Sequence, residues 1–291
     1  MTRSIVLAFF LAMGFTSVQA QEVSAAFKAG LNFSRLAGPF ETNESGMELE
    51  KSSFSTGFHI AGGINVRFTD LFGMRAELMY SQKGADYTFD GDSYWIFYPT
   101  EESTIHSTGN RSTVLTITNS YLDLPVIGYI RSGRVEVSAG ASIGVLVASR
   151  GQGEVVYSGQ TVGGEEVDPF TVALDFNYSK DGRQVLDIGE TESRLIEGKS
   201  VDIPKNVGAN YAVFGPEENL FNALDIGLVA GAAFFLNDGL YVGLRVNYGL
   251  SDVTDEKKDI SKVSLDENRE FVFRDDFDRN VSLQASVGFS F

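Results

Sequence analysis

The sequence contains no cysteine, and only six prolines, two histidines and one tryptophan in 291 residues. Without cysteine there are no disulfides and no thiolate chemistry, so packing and hydrogen bonds alone must hold the chain. Beyond the first twenty residues no stretch of about 18 apolar residues occurs, which excludes a membrane-spanning helix. A basic face is also missing. The formal net charge is −16, which argues against nucleic-acid binding, since phosphate contacts need clustered Lys and Arg.

What is present points to β structure: 31 Gly, 23 Phe and 11 Tyr accompany the few prolines. The first twenty residues read as an export signal, with Arg3 in the n-region, an apolar run from Ile5 to Phe15, and Val18-Gln19-Ala20 as the cleavage site. The expected organisation is therefore a signal peptide over 1–20 and one domain over 21–291. Acidity is concentrated in four long connections, 35–53, 84–111, 150–220 and 251–279, which hold 32 of the 39 acidic residues and 15 basic ones. The remaining mature chain is neutral.

Eight segments alternate apolar and small or polar residues with period two, the mark of a strand with two different faces. They lie near Val23–Phe33, Phe54–Phe68, Phe72–Lys83, Thr113–Ile130, Val135–Ala148, Ala223–Leu236, Leu240–Leu250 and Asn280–Phe291. Each is long enough to cross an outer membrane when tilted, which takes roughly 9–11 residues. Connections alternate between tight turns (Thr69-Asp70-Leu71, Arg131-Ser132-Gly133-Arg134, Asn237-Asp238-Gly239) and long charged links. One parity is continuously apolar, as in Val135, Val137, Ala139, Ala141, Ile143 and Val145. The other is rich in glycine, as at Gly30, Gly63, Gly140, Gly144, Gly227 and Gly231. Glycine weakens a solvent-facing strand but relieves crowding on the concave side of a narrow barrel. The pattern predicts an all-β fold: an eight-stranded, antiparallel transmembrane β-barrel of the outer-membrane type with long extracellular loops.

Several stretches carry a family likeness. Phe27 to Leu36 (FKAGLNFSRL), Arg75 to Gly84 (RAELMYSQKG), Tyr121 to Pro125 (YLDLP) and Arg245 to Asp252 (RVNYGLSD) resemble strands of the PorT-like outer-membrane β-barrel family of Bacteroidota. The final Phe289 and Phe291 look like the C-terminal assembly signal of a bacterial outer-membrane barrel. The resemblance implies an eight-stranded barrel in the cell outer membrane of a Gram-negative organism, with the barrel-insertion machinery as an assembly partner. It also raises a role in a protein secretion system.

The inward parity places Arg75, Glu77, Asp123, Glu136, Asp225 and Arg245 in the lumen, with Tyr121, Tyr241 and Asn247. Charges there must be paired, because isolated buried ions are costly. By strand height Glu77 and Asp123 are the expected partners of Arg75 and Arg245. His59 is an inward-facing histidine near the outer rim, at a height like that of Asp225, but no Gly-x-Ser-x-Gly elbow accompanies it. No catalytic site, cofactor site or specific metal site is expected. Asp90-Gly-Asp92 and Arg274 to Asp278 gather carboxylates without matching a calcium-binding loop. Tyr94, Trp95, Phe97 and Tyr98 form an unusually aromatic segment, which either extends the third strand to pack on the 150–220 link or offers a surface-binding patch. The expected function is a structural or surface-binding role of a monomer in contact with outer-membrane lipid and lipopolysaccharide. A narrow channel or secretion component is the alternative, and a lipid- or peptide-directed barrel enzyme the remote one.

Overall fold

A computed structural model describes residues 22–100, 102–181, 189–211 and 220–291. The expected signal peptide, 1–20, lies outside them. Among the described residues the strands are β1 (Glu22–Ala37), β2 (Glu50–Ser53), β3 (Ser55–Arg67), β4 (Phe72–Thr100), β5 (Ser103–Ser132), β6 (Val135–Thr161), β7 (Glu166–Asn177), β8 (Thr191–Ile196), β9 (Lys199–Pro204), β10 (Asn206–Val207), β11 (Leu224–Phe235), β12 (Leu240–Gly249), β13 (Ile260–Leu265), β14 (Phe271–Phe273) and β15 (Arg279–Ser290).

Eight of these close a ring, in the order β1, β3, β4, β5, β6, β11, β12, β15 and back to β1, with every neighbour antiparallel. Closure runs through the chain ends: β15 pairs with β1 from Ala26↔Ser290 to Ala37↔Arg279. No strand edge is left open around the ring, the condition for backbone groups to be satisfied in lipid. The apolar parity faces outward and uncovered; Leu78 is 63% exposed, Ile64 and Leu244 57%. A continuous belt of this kind exceeds the apolar patches that water-soluble monomers tolerate. Near the tight turns Phe68 stacks on Phe72 and Phe289 meets Phe291 edge to face, the girdle position of aromatic residues. The glycine parity faces inward, and some of its members are close-contact sites. A Cβ on Gly288 would fall 2.3 Å from the Tyr241 ring, so that ring lies flat against bare backbone.

The long connections differ from the expectation in one respect. Residues 84–100 and 103–111 are not a loop but the continuation of β4 and β5, paired from Gly84↔Thr118 to Phe97↔Ile105. β6 continues alongside them, β7 adds to β6, β10 adds parallel to β7, and β2 adds to β4. A second sheet therefore rises from one end of the barrel. Its inner face carries Trp95, Phe97, Leu115, Ile117, Val155, Tyr157, Phe170 and Val172, and the separate β8–β9 hairpin adds Ile196, Val201 and Ile203 to the same apolar core.

One irregularity joins the two parts. Between Ser120 and Tyr121 the β5–β6 ladder skips a residue, so that Ala148 and Leu146 are the consecutive partners. A bulge of one residue reverses which parity faces inward. Below it on β6 the even residues Glu136, Ser142 and Gly144 are buried, and above it the odd residues Ser149, Gly151, Val155 and Tyr157 are.

Candidate functional site

Two places gather chemistry: the barrel lumen and a cavity at the outer end. In the lumen, Arg245 grips Glu77 with both terminal nitrogens, at 2.8 and 2.9 Å, and Lys28 Nζ reaches the same carboxylate at 2.8 Å. Nearer the tight turns Arg75 pairs with Glu136 at 3.1 and 3.2 Å, donates to Asn65 Oδ1, and lies over the Tyr129 ring. Nearer the outer end Lys83 Nζ sits between Asp123 (3.0 Å) and Asp225 (2.8 Å), above the Tyr121 ring, and Asn280 Nδ2 also donates to Asp225 at 3.0 Å. The eight charged groups are four cations and four carboxylates, each between 1% and 8% exposed. Formal neutrality is what a low-dielectric interior requires of buried ions.

All six lumen charges named from the sequence therefore face inward, but only one expected pair forms, Arg245 with Glu77. Arg75 takes Glu136, and Asp123 takes Lys83. Lys28 and Lys83 were missed, although both sit on the inward parity, two residues from Gly30 and from Ser81. Gln284 is fully buried, and among the described residues neither its amide atoms nor Asp123 Oδ2 and Asp225 Oδ1 find a hydrogen-bond partner. The interior between the ionic clusters is polar, not a dry apolar filling. At the tight-turn end a cavity of about 600 Å³ reaches up to Asn65, Arg75 and Glu136.

His59 does not meet Asp225. Asn32 Nδ2 donates to Ser81 Oγ (2.9 Å) and to the Gln82 carbonyl (2.7 Å), which leaves Asn32 Oδ1 to accept from His59 Nδ1 at 2.7 Å. In that tautomer His59 Nε2 accepts from the Ser286 hydroxyl at 2.8 Å. His106 lies on β5, well above the ring.

The outer cavity has a volume of about 350 Å³ and lies between the inner face of the second sheet and the 254–274 and 36–40 segments. Its walls include Tyr87, Tyr94, Trp95, Tyr98, Tyr178, Tyr211 and Phe221, with Arg111, Lys258, Lys262, Arg274, Glu50, Asp259 and Asp278 as charged members. The aromatic segment is thus not an outward-facing patch. Tyr94, Trp95, Phe97 and Tyr98 are all buried, because β7 supplies Phe170 to Trp95 and Phe97, at 5.0 and 5.9 Å between rings, and Phe271 covers Tyr94. Only the sides of Tyr94, Trp95 and Tyr98 that face the cavity remain to meet a ligand. Burial pushes the Tyr94 hydroxyl up to about 12, against the pull of Arg111 and Lys262, and raises Tyr98 and Tyr178 well above their ordinary value. All three are neutral at physiological pH.

Around the rim Glu50 accepts from Tyr87 Oη, Arg274 (3.0 Å) and the Glu41 amide (3.0 Å), with Lys262 at 3.6 Å. Burial raises its pKa, but Lys262, the Tyr87 hydroxyl and Arg274 more than offset this and hold it below the usual carboxylate value. Asp259, Asp276 and Asp278 bring carboxylate oxygens within 4.8 Å of one another, joining two segments that sequence spacing kept apart. Burial raises all three, and Asp259 and Asp278 reach about 6. Arg274 pairs with Asp276. Asp90 and Asp92 stand exposed on β4 and do not join them.

The profile of the family described as outer membrane protein beta-barrel domain matches residues 19–255, most of the closed ring just described. The chain belongs to this outer-membrane β-barrel family. Its location is the outer membrane, and by the rule for such barrels the tight turns are periplasmic and the second sheet extracellular. No curated protein sequence matches the chain. Solved structures similar to it include Ail, the attachment invasion locus protein of Yersinia pestis (10% identity, 93% of this chain and 99% of that one, TM-score 0.34). Neisserial surface protein A (11%, 93% and 99%, 0.31) and the outer membrane protease OmpT of Escherichia coli (9%, 94% and 98%, 0.29) are others. At this distance they say nothing of role.

Proposed function

We propose that this protein is a surface-binding barrel without catalysis, in which the lumen is a structural plug and recognition takes place in the extracellular cavity. The observation that supports this reading is the succession along the barrel axis. A charge-balanced set of buried ion pairs lies beneath an aromatic-walled cavity at the outer end of the molecule. An eight-stranded interior is just wide enough for side chains to fill, whereas aqueous pores use about 16 strands or more. In a planar bilayer the wild-type protein is expected to carry no steady current. A steady, ion-selective current would make the lumen a channel and overturn the plug.

The motifs in 27–36, 75–84, 121–125 and 245–252 favour a place in the PorT-like branch of the family, for which a secretion component is the rival role. Recovery of the protein from solubilised membranes in a stable complex with other envelope proteins would favour that rival.

A catalytic reading has one observation on its side, the relay from Ser286 through His59 to Asn32. Such an order of hydroxyl, imidazole and orienting group serves nucleophilic catalysis. Against it stands access: His59 is 1% exposed, and its Cε1 presses on bare backbone at Gly30, where a Cβ would fall 2.8 Å away. An ester-hydrolysing activity that disappears in His59→Ala would replace the binding reading.

A further inference from the structure

The outer cavity contains a cation that its surroundings do not neutralise. Of the cavity's arginines, Arg274 is taken by Glu50 and Asp276, and Lys262 also lies against Glu50. Arg111 has no carboxylate within ion-pair distance among the described residues. Its guanidinium lies 5.7 Å from the Tyr94 ring centre and 5.4 Å from that of Trp95, and Nη2 donates to the Tyr94 carbonyl at 3.0 Å. Nε is buried with no acceptor.

We infer that Arg111 is the anchor of an anion-binding site in this cavity, and that the ligand is an amphipathic monocarboxylate with an aromatic or aliphatic body. This rests on the cavity being the binding site proposed above. Three features select that class. A guanidinium meets a carboxylate through two parallel hydrogen bonds, and an aromatic box does not supply the missing negative charge. The walls beside it, Tyr98, Leu115, Tyr178 and Phe221, are apolar or neutral, so they accept a hydrocarbon or aryl body. The remaining charged members, Glu50, Asp259 and Asp278 with Lys258, Lys262 and Arg274, carry both signs, so the one guanidinium without a carboxylate calls for one negative group. The volume, about 350 Å³, falls in the range of pockets for small organic ligands. Burial also lowers the pKa of Arg111 from its ordinary value, the sign of a charge held away from water without full compensation.

Trp95 is the only tryptophan of the chain, so its emission reports directly on this site. The full-length protein, folded in detergent, is titrated with 4-phenylbutyrate and with 4-phenylbutan-1-ol, which differ in the acidic group. The carboxylate is expected to give a saturable change in Trp95 emission at an affinity about tenfold or more above that of the alcohol, the contribution of a charge-assisted contact. In Arg111→Gln this preference should vanish, the two probes then binding alike, with heat-modifiable migration checking that the variant folds. If the variant does not fold, the wild-type comparison decides alone. Equal binding of the two probes to wild type would overturn the anchor, with the Tyr94 and Trp95 rings sufficing for Arg111, and would leave the cavity a binding site. Saturation by neither probe would overturn the cavity reading together with the anchor.

Discussion

The same three strands, β4, β5 and β6, run through two solvents and obey opposite rules in each. In the ring their inner residues are ionic or polar, such as Glu77, Lys83, Asp123 and Glu136, and their outer residues are apolar, such as Leu78, Leu124 and Ile143. In the extracellular sheet the inner residues are Leu115, Ile117, Val155 and Tyr157, and the outer ones include Asn110, Thr116, Gln152 and Glu154. Lipid solvates an apolar exterior, so the ring must satisfy its polar groups inside. Water reverses the preference, and apolar burial then stabilises the sheet at about 25 cal/mol per Å². On β5 the exchange is made by chemistry at constant parity, from Asp123, Tyr121 and Asn119 to Ile117 and Leu115. On β6 it also takes a shift of parity, supplied by the bulge beside Val147.

Shifting the outer part of β6 by one residue should break the comparison most severely. Deleting Gln152, opposite Thr116 in the regular ladder above the bulge, turns Val155 and Tyr157 away from the core, whereas deleting Val147 removes the extra residue itself and leaves their partners and facing as they are. For the Gln152 deletion the expected result is a barrel that still migrates as a heat-modifiable species but whose outer sheet is cut by protease added to intact cells, with the Val147 deletion resistant. Equal resistance of the two variants would show that the register of β6 does not set the inward face of the outer sheet.

Within the ring, Glu77→Gln removes the carboxylate shared by Arg245 and Lys28 and leaves two buried cations without a partner. Breaking one buried pair costs about 3–5 kcal/mol, so a large fall in unfolding temperature is expected. Arg245→Ala should cost less than Glu77→Gln, because Lys28 keeps Glu77 paired. Negligible losses in both variants would mean that water solvates these groups, as in a conducting path.

In the outer sheet the same logic predicts an apolar penalty confined to that sheet. Tyr157 is fully buried and touches Trp95 and Phe170 at 5.5 and 5.7 Å between ring centres. Tyr157→Ala should remove about 3–5 kcal/mol, as for other large aromatic truncations, read as faster hydrogen exchange in β6 and β7 above residue 149 with the ring unchanged.

The smallest effect concerns the rim. Asp259 and Asp278 hold their protons up to about pH 6 when folded, against an ordinary value of 3.8. Because the folded pKa is raised, the stabilisation is fully present below pH 4 and is lost as pH rises through 6. Both groups are partly exposed, so roughly 1 kcal/mol is expected after solvent screening. Hydrogen exchange of residues 251–279, corrected for intrinsic rates, should be slower at pH 4.5 than at pH 7.5, and Asp259→Asn should flatten the difference. No pH dependence in the wild type would contradict the burial of these carboxylates.

Alternation is a property of neighbouring residues, so the sequence by itself determined the eight ring strands, their apolar outer face, the tight turns and the inward position of Arg75, Glu77, Asp123, Glu136, Asp225 and Arg245. Partnership across the lumen was decided only by the tertiary structure. Lys83 and Asp225 lie 142 positions apart, and which cation meets which carboxylate depends on register and tilt summed around a closed ring, a quantity no local pattern carries. The outer cavity belongs to the same class. A single skipped residue near Val147 sets the facing of everything beyond it on β6, and packing by β7 and the 254–274 segment decides between the two readings of the aromatic stretch, making it the wall of a cavity and not an open patch.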